Sequence, residues 1–266
     1  MSDVHDTRSA RGPVVALDGP GSSGKSSVGA AVAARLGLRF CDTGLLYRAV
    51  SYAARQRAIE PLDTDRLVPL ADAVRLEPDG AGRYARVTLD GVDVTAAVHD
   101  GEVDAVVSSY ARVPELRTAL LARQRSIAGE GGIVMAGRDI GTVVLPGADV
   151  KIYIDASLEE RARRRTSERQ AAPDGPDAGE ILDQLRARDL QDASRPVAPL
   201  RPAEDAVVIR TDGNAFETTV DLVVAAIRER TAARSRMIVP PTPGPGRSQV
   251  PARAARPSAS PARARR

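Results

Sequence analysis

Val14-Val15-Ala16-Leu17-Asp18-Gly19-Pro20-Gly21-Ser22-Ser23-Gly24-Lys25-Ser26-Ser27 is the stretch on which the fold turns. Its opening residues, Val14 to Asp18, form the unbroken apolar run of a strand buried on both faces, the type found in parallel sheets. From Gly19 to Ser26 it matches the phosphate-binding pattern G-x-x-x-x-G-K-[ST] in full. Beyond it, Val28, Val32, Ala33 and Leu36 recur at helical spacing. Strand, glycine-rich turn and helix therefore follow one another in the order the pattern needs. The glycines let the backbone turn close to phosphate oxygens, and the first N–H groups of the helix converge on an anion. On this reading Gly19, Pro20, Gly21, Ser22, Ser23, Gly24, Lys25, Ser26 and Ser27 cradle a polyphosphate. Lys25 reaches its terminal phosphates, and the Ser26 hydroxyl ligates Mg2+. The chain has only two lysines among many arginines, and one of them is Lys25. A compact ammonium has been kept where the pattern asks for it.

Outward from this stretch, short apolar strands alternate with helical spacing. Leu38–Asp42, Ile133–Ala136, Val150–Ile154 and Val207–Ile209 read as strands of the parallel core. Leu45–Arg57, Val113–Ala128, a helix from the capping box Ser157-Leu158-Glu159-Glu160, Glu180–Asp192 and the stripe Val220, Val223, Val224 and Ile227 read as helices. The fold class implied is α/β, a doubly wound parallel sheet with right-handed crossovers. Between residues 61 and 104 the pattern changes to short alternating runs broken by Pro78-Asp79-Gly80 and Asp90-Gly91, the second a hairpin signal. This segment is expected to be a small antiparallel β insertion. The core is then 13–60 and 105–230, with a helical lid over about 157–178. Residues 1–12 form an expected disordered arm and 231–266 an expected disordered tail.

The chain has 266 residues and a formal charge of +3, but eight arginines and no acids fall after residue 230, so the remainder is formally −5. The basicity belongs to the tail. It contains no aromatic residue for base stacking, so a solvated extension is the simpler expectation than a nucleic-acid contact. A single cysteine, Cys41, excludes an internal disulfide. No apolar run approaches a membrane span and the start is polar, so a soluble, cytoplasmic protein is expected; a monomer is the expected state, though no feature of the sequence fixes it.

Gly137-Arg138-Asp139-Ile140-Gly141-Thr142 follows a strand directly, where open α/β sheets bind ligands. Arg138 is suited to grip a phosphate and Asp139 to accept hydrogen bonds. Arg161, Arg163, Arg164, Arg165 and Arg169 crowd one helix, as a lid over transferring phosphate would require. Arg188, Asp192 and Arg195 lie together before Pro196-Val197-Ala198-Pro199.

The phosphate loop, Asp42-Thr43-Gly44-x-x-Tyr47-Arg48, the run Arg117-x-x-Leu120-Leu121-x-Arg123-Gln124-Arg125, Gly137-Arg138-Asp139-x-Gly141-Thr142-Val143-Val144 and Arg188-Asp189-x-x-Asp192-x-x-Arg195-x-Val197-Ala198-Pro199-Leu200 together resemble the bacterial cytidylate kinases, P-loop nucleoside monophosphate kinases. The resemblance runs from about Pro13 to Arg230. It implies that ATP and CMP or dCMP give ADP and CDP or dCDP. The β insertion then belongs to the nucleoside-monophosphate-binding domain. By the same resemblance, Arg48 and Arg138 hold the CMP phosphate, with Arg188 and Arg195 near phosphate or sugar. Thr43, Ser108, Arg117 and Asp139 read cytosine, and Asp192 holds the ribose hydroxyls. Arg161 and Arg165 close over ATP, and the catalytic set is Lys25, Arg138, Arg161, Arg165 and Arg188. Two departures stand out: Thr43 keeps a hydroxyl where Ser is expected, and Met135-Ala136 lacks an acid that some relatives carry before Gly-Arg-Asp.

Other readings are a P-loop kinase for another small acceptor (UMP or another nucleotide, shikimate, gluconate), a GTP-binding switch and a nucleic-acid-binding protein. Shikimate and gluconate carry no phosphate for the arginine set to hold. The switch lacks an Asn-Lys-x-Asp motif, and the last reading rests on the tail alone.

Overall fold

A computed structural model of the chain describes residues 12–169 and 177–238. All but the last residue of the expected arm, residues 170–176 of the expected lid and the tail from 239 lie outside the described residues.

Strand β1 (Val14–Asp18) lies at the centre of one eight-stranded sheet, pairing in parallel with β6 (Ile133–Gly137) on one side and β7 (Val150–Asp155) on the other. Next to β6 runs β2 (Arg39–Asp42), and next to β7 runs β8 (Val207–Arg210), both parallel. Period-two alternation then divides the core between the two faces. Val15, Leu17, Val134, Ile152 and Ile154 pack on one face with α1 (Lys25–Leu36) and α9 (Phe216–Ile238). Ala16, Met135 and Cys41 face the other way, toward Ala128 near the end of α6 (Pro114–Gly129). The sheet is doubly wound, as the strand–helix alternation implies.

The segment after α2 (Gly44–Gln56) differs from a detached insertion. It opens with two single-turn helices, α3 (Thr64–Leu67) and α4 (Leu70–Ala73). Strands β3 (Val74–Pro78), β4 (Arg83–Leu89) and β5 (Val92–Asp93) follow, antiparallel to one another. Asp90-Gly91 makes the hairpin turn with both residues at positive φ (50° and 82°). β4, however, continues the main sheet, pairing in parallel with β2 through Phe40–Arg83 and Cys41–Tyr84. The antiparallel unit is thus welded to the core edge through β4.

Helix α5 (Gly101–Ala111) was not legible as a helix. It is capped by Asp100, whose carboxylate accepts the Glu102 N–H at 2.7 Å, and it packs Val107 and Tyr110 against α2. The arginine-rich α7 (Leu158–Arg169) starts with half of the expected capping box. Ser157 Oγ accepts the Glu160 N–H, but the Ser157 N–H goes to Asp212, and Glu160 turns to Arg163 and Arg164 instead. The complete capping box, Asp177 with Glu180, begins α8 (Ala178–Ala193). α9 continues to Ile238, so the first residues assigned to a disordered tail are helical. No helix among the described residues is long and apolar enough to cross a membrane.

Candidate active site

The carboxyl ends of β1, β2 and β6 open into a cleft of about 290 Å3, close to the lower bound of ~300 Å3 for small-molecule sites. The loop after β1 forms one wall. Gly19 belongs there because a Cβ would come within 2.2 Å of the Ile154 carbonyl oxygen on β7. Gly24, at φ 87°, caps α1 in the left-handed conformation. Lys25 is buried, its Nζ donating to the Pro20 carbonyl at 3.1 Å. Burial, and then the nearby Arg138, push its ammonium well below the ordinary lysine value, with Asp42 opposing. An anion between these cations would offset both effects by favouring the charged ammonium.

Ser26 Oγ donates to Asp42 Oδ2 at 2.5 Å. A hydroxyl and a carboxylate oxygen at the mouth of a phosphate loop are the hard donors a Mg2+–triphosphate complex takes, with phosphate and water oxygens completing the shell. The residues fit that group. Asp42, quoted in the Asp42-Thr43-Gly44 motif, has no site role in the sequence reading, although its place at the carboxyl end of β2 was a signal for one.

The opposite end of the cleft is built on buried ion pairs. Arg117 on α6 donates Nη2 to Asp139 Oδ2 at 2.5 Å and Nη1 to the Ala111 carbonyl at 3.1 Å, and lies over the Tyr47 ring at 5.3 Å. Thr43 donates its hydroxyl to the Ala136 carbonyl at 2.9 Å, which leaves its lone pairs free to accept. Ser108 on α5 lines the same end. Asp192 joins Arg138, at 2.7 Å from Nε, to Arg195. Arg138 also donates to the Gly19 carbonyl at 3.3 Å and so bridges the two ends. The Gly-Arg-Asp segment does not pair Arg138 with Asp139 locally; each reaches a different helix. Arg48, Arg165 and Arg188 line the middle of the cleft. Burial, and then Arg138, push the Arg188 guanidinium down to about 9.

Four expected residues stand behind the cleft wall. Gly19, Pro20 and Ser23 form the underside of the loop, and Arg161 is buried beneath it. Arg161 forks onto Asp189 of α8 at 3.1 and 2.5 Å and donates to the Gly21 carbonyl at 3.2 Å. The structure thus separates the two arginines expected over ATP, Arg165 lining the cleft and Arg161 a tie between α7, the loop and α8. Asp18, at the end of β1, is a further buried residue that sequence reasoning passed over. Its two oxygens accept the N–H groups of Ile140 and Gly141, each at 2.7 Å, and tie the phosphate loop to the Gly-Arg-Asp turn.

A model of the Cytidylate kinase family matches residues 15–229. The chain belongs to the cytidylate kinase family. It is 43% identical over 219 residues to a cytidylate kinase of Mycobacterium avium, covering 82% of this chain and 96% of that one. To a cytidylate kinase of Stutzerimonas stutzeri it is 39% identical over 223 residues, covering 83% and 97%. A bifunctional pantoate ligase/cytidylate kinase of Gloeobacter violaceus is 44% identical over 224 residues; the match spans 83% of this chain and 44% of that longer protein. Cytidylate kinase is a nucleoside monophosphate kinase, a transferase, and the cleft holds the phosphate loop such an enzyme needs.

Proposed function

We propose that the chain transfers the γ-phosphoryl group of ATP to the phosphate of CMP and dCMP, giving ADP with CDP or dCDP. The observation that carries this reading is the pairing of two unlike ends in one cleft. The loop of Lys25 and Ser26 suits a triphosphate, and the buried Arg117–Asp139 pair beside Thr43 suits a polar base. Cytosine offers an amine where uracil offers a carbonyl. The Thr43 hydroxyl, with its proton committed to Ala136, and the Asp139 carboxylate are both acceptors for that amine, while Arg117 and Ser108 donate to the ring. A site built this way rejects the base that presents an acceptor instead, because its own acceptors would be left unpaired.

Arg48 and Arg138 hold the acceptor phosphate, Arg188 and Arg195 flank it, and Asp192 takes the ribose hydroxyls. Ser26 and Asp42 would hold Mg2+ together with the triphosphate, and the ion would supply charge neutralisation there. An oxygen of the acceptor phosphate attacks the γ-phosphorus in line as the bond to the β-phosphate oxygen breaks. The acceptor is already ionised, so no general base is needed. Lys25, Arg138, Arg165 and Arg188 act by positioning and by meeting charge on the equatorial oxygens. Arg161 acts one step back, fixing α7 against the loop. Closure of α7 excludes the water that would otherwise consume ATP. We assign the reaction to a cytoplasmic monomer, which the lone buried Cys41 supports for a reducing compartment.

The test is ADP release from Mg-ATP with CMP, dCMP, UMP, AMP and shikimate offered in parallel. Rapid turnover with CMP and dCMP, and much slower turnover with UMP and AMP, is expected. Preference for another acceptor would overturn the cytosine assignment of Thr43, Ser108, Arg117 and Asp139. No turnover with any acceptor would overturn the kinase reading itself.

A further inference from the structure

Asp104 has no part in that scheme, yet three of the cleft's arginines converge on it. Arg48 of α2 donates Nη2 to Asp104 Oδ1 at 2.5 Å, and Arg188 of α8 donates Nη1 to the same oxygen at 3.3 Å. Arg165 of α7 pairs with the second oxygen, Oδ2. The Asp104 side chain is only 9% exposed. An acid in the first turn of α5 suits the helix N-terminus, but that effect asks for no partner. Three guanidiniums drawn from three elements make an anion site whose anion belongs to the protein. Asp104 precedes Ser108 by one helical turn on the same face of α5, so this carboxylate sits next to the expected acceptor site.

Among the described residues Asp104 meets three guanidiniums, Arg165 has Glu168 as a second, longer partner at 3.8 Å, and Arg188 keeps its Nε buried with no hydrogen-bond partner. A phosphate dianion offers more charge and one more oxygen than Asp104 does, so it can draw the same arginines away. We propose that Asp104 is a positioning residue, an internal carboxylate that holds Arg48, Arg165 and Arg188 converged in the nucleotide-free cleft and competes with the substrate's phosphate for them. This rests on the nucleotide kinase reading above. Without Asp104 the three cations would repel one another; with it they stay gathered, α7 stays tied to α5, and nucleotide binding is weakened by the contacts it must displace.

The test compares Asp104→Asn, which keeps the shape and removes the charge, with Asp104→Glu, which keeps the charge. Calorimetric titration with CMP and with inorganic tripolyphosphate, steady-state kinetics, and melting of the free and CMP-saturated proteins are the readouts. Asp104→Asn is expected to bind CMP about fivefold more tightly, the scale of one partly exposed ion pair. Its KM for CMP should fall without a rise in kcat, and Asp104→Glu should stay near the wild type. The free Asp104→Asn protein should melt lower than the wild type, with the gap closing when CMP is bound. Unchanged or weaker binding in Asp104→Asn, or an equal melting loss in both states, would overturn the competitor and leave Asp104 a simple brace. A wild-type protein that fails to turn over CMP would instead overturn the functional reading, and the tripolyphosphate titration would still judge Asp104.

Discussion

At the scale of single residues, Asp18 sets a pH limit on the site. Burial pushes its carboxyl from 3.8 up to about 6, against the pull of the Gly141 and Ile140 N–H groups. The folded protein therefore binds this proton more tightly than the unfolded chain does. The associated stability is fully present below pH 3.8 and is lost as pH rises through about 6, a span worth about 3 kcal/mol. Function runs the other way. Protonation turns one acceptor oxygen toward being a donor, so one of the two N–H groups that fix the Gly-Arg-Asp turn loses its partner. Turnover is expected to fall below pH 6 while the Asp18 contribution to stability grows. Urea unfolding of the wild type and Asp18→Asn between pH 4 and 7 checks the sign: the wild type should carry a falling component that the variant lacks. Parallel pH profiles for the two proteins would sink it. Asp18 also marks what the sequence could not convey. The phosphate loop and the Gly-Arg-Asp segment were legible because each motif is contiguous. Asp18, Asp42, Asp104 and Asp189 act by pairing with residues brought near only by folding, and an isolated Asp carries no local sign of such a partner.

At the scale of elements, the phosphate loop is held in place by how closely α1 lies on the sheet. Gly29 is the residue that allows this approach. A Cβ there would meet Phe40 Cε2 at 2.7 Å and Leu17 Cδ2 at 2.8 Å, and both side chains are buried with little room to move. Alanine would gain about 1 kcal/mol of helix propensity over glycine, but the overpacking costs about 1–3 kcal/mol and moves the start of α1. Gly29→Ala is expected to lower the melting temperature by about 2–4 °C per net kcal/mol lost and to raise KM for ATP more than KM for CMP. A variant that melts higher with unchanged KM values would show that the core yields. The parallel strands were readable because they are buried on both faces and so lack polar interruptions. α5 was not, since Gly101-Glu102-Val103-Asp104-Ala105-Val106-Val107 carries no clean helical stripe and gains its helicity from the Asp100 cap and from packing on α2. β4 read as part of a separate insertion because its parallel pairing with β2 is only two residues long, below what any local pattern encodes.

At the scale of the whole molecule, charge is divided along the chain in a way the active site does not need. Among the described residues those that build the cleft lie between 18 and 195, and the family match ends at residue 229. Removing residues 239–266 deletes six arginines and no acids, which takes the formal charge from +3 to −3. Near 0.15 M salt the Debye length is about 8 Å, so charges outside the cleft are largely screened from a nucleotide held within it. Near 0.01 M it is about 30 Å, and the sign of the whole chain then bears on how fast an anionic substrate arrives. The shortened protein is therefore expected to keep kcat/KM for CMP within about twofold at physiological salt, and to fall below the full chain only at low ionic strength, where steering operates. Its retention on heparin should disappear under both conditions. A large loss of kcat at physiological salt would mean that tail residues reach the cleft and take part in holding phosphate. In that case the arginine set converging on Asp104 would be incomplete as described, and its charge balance would have to be drawn again with the tail included.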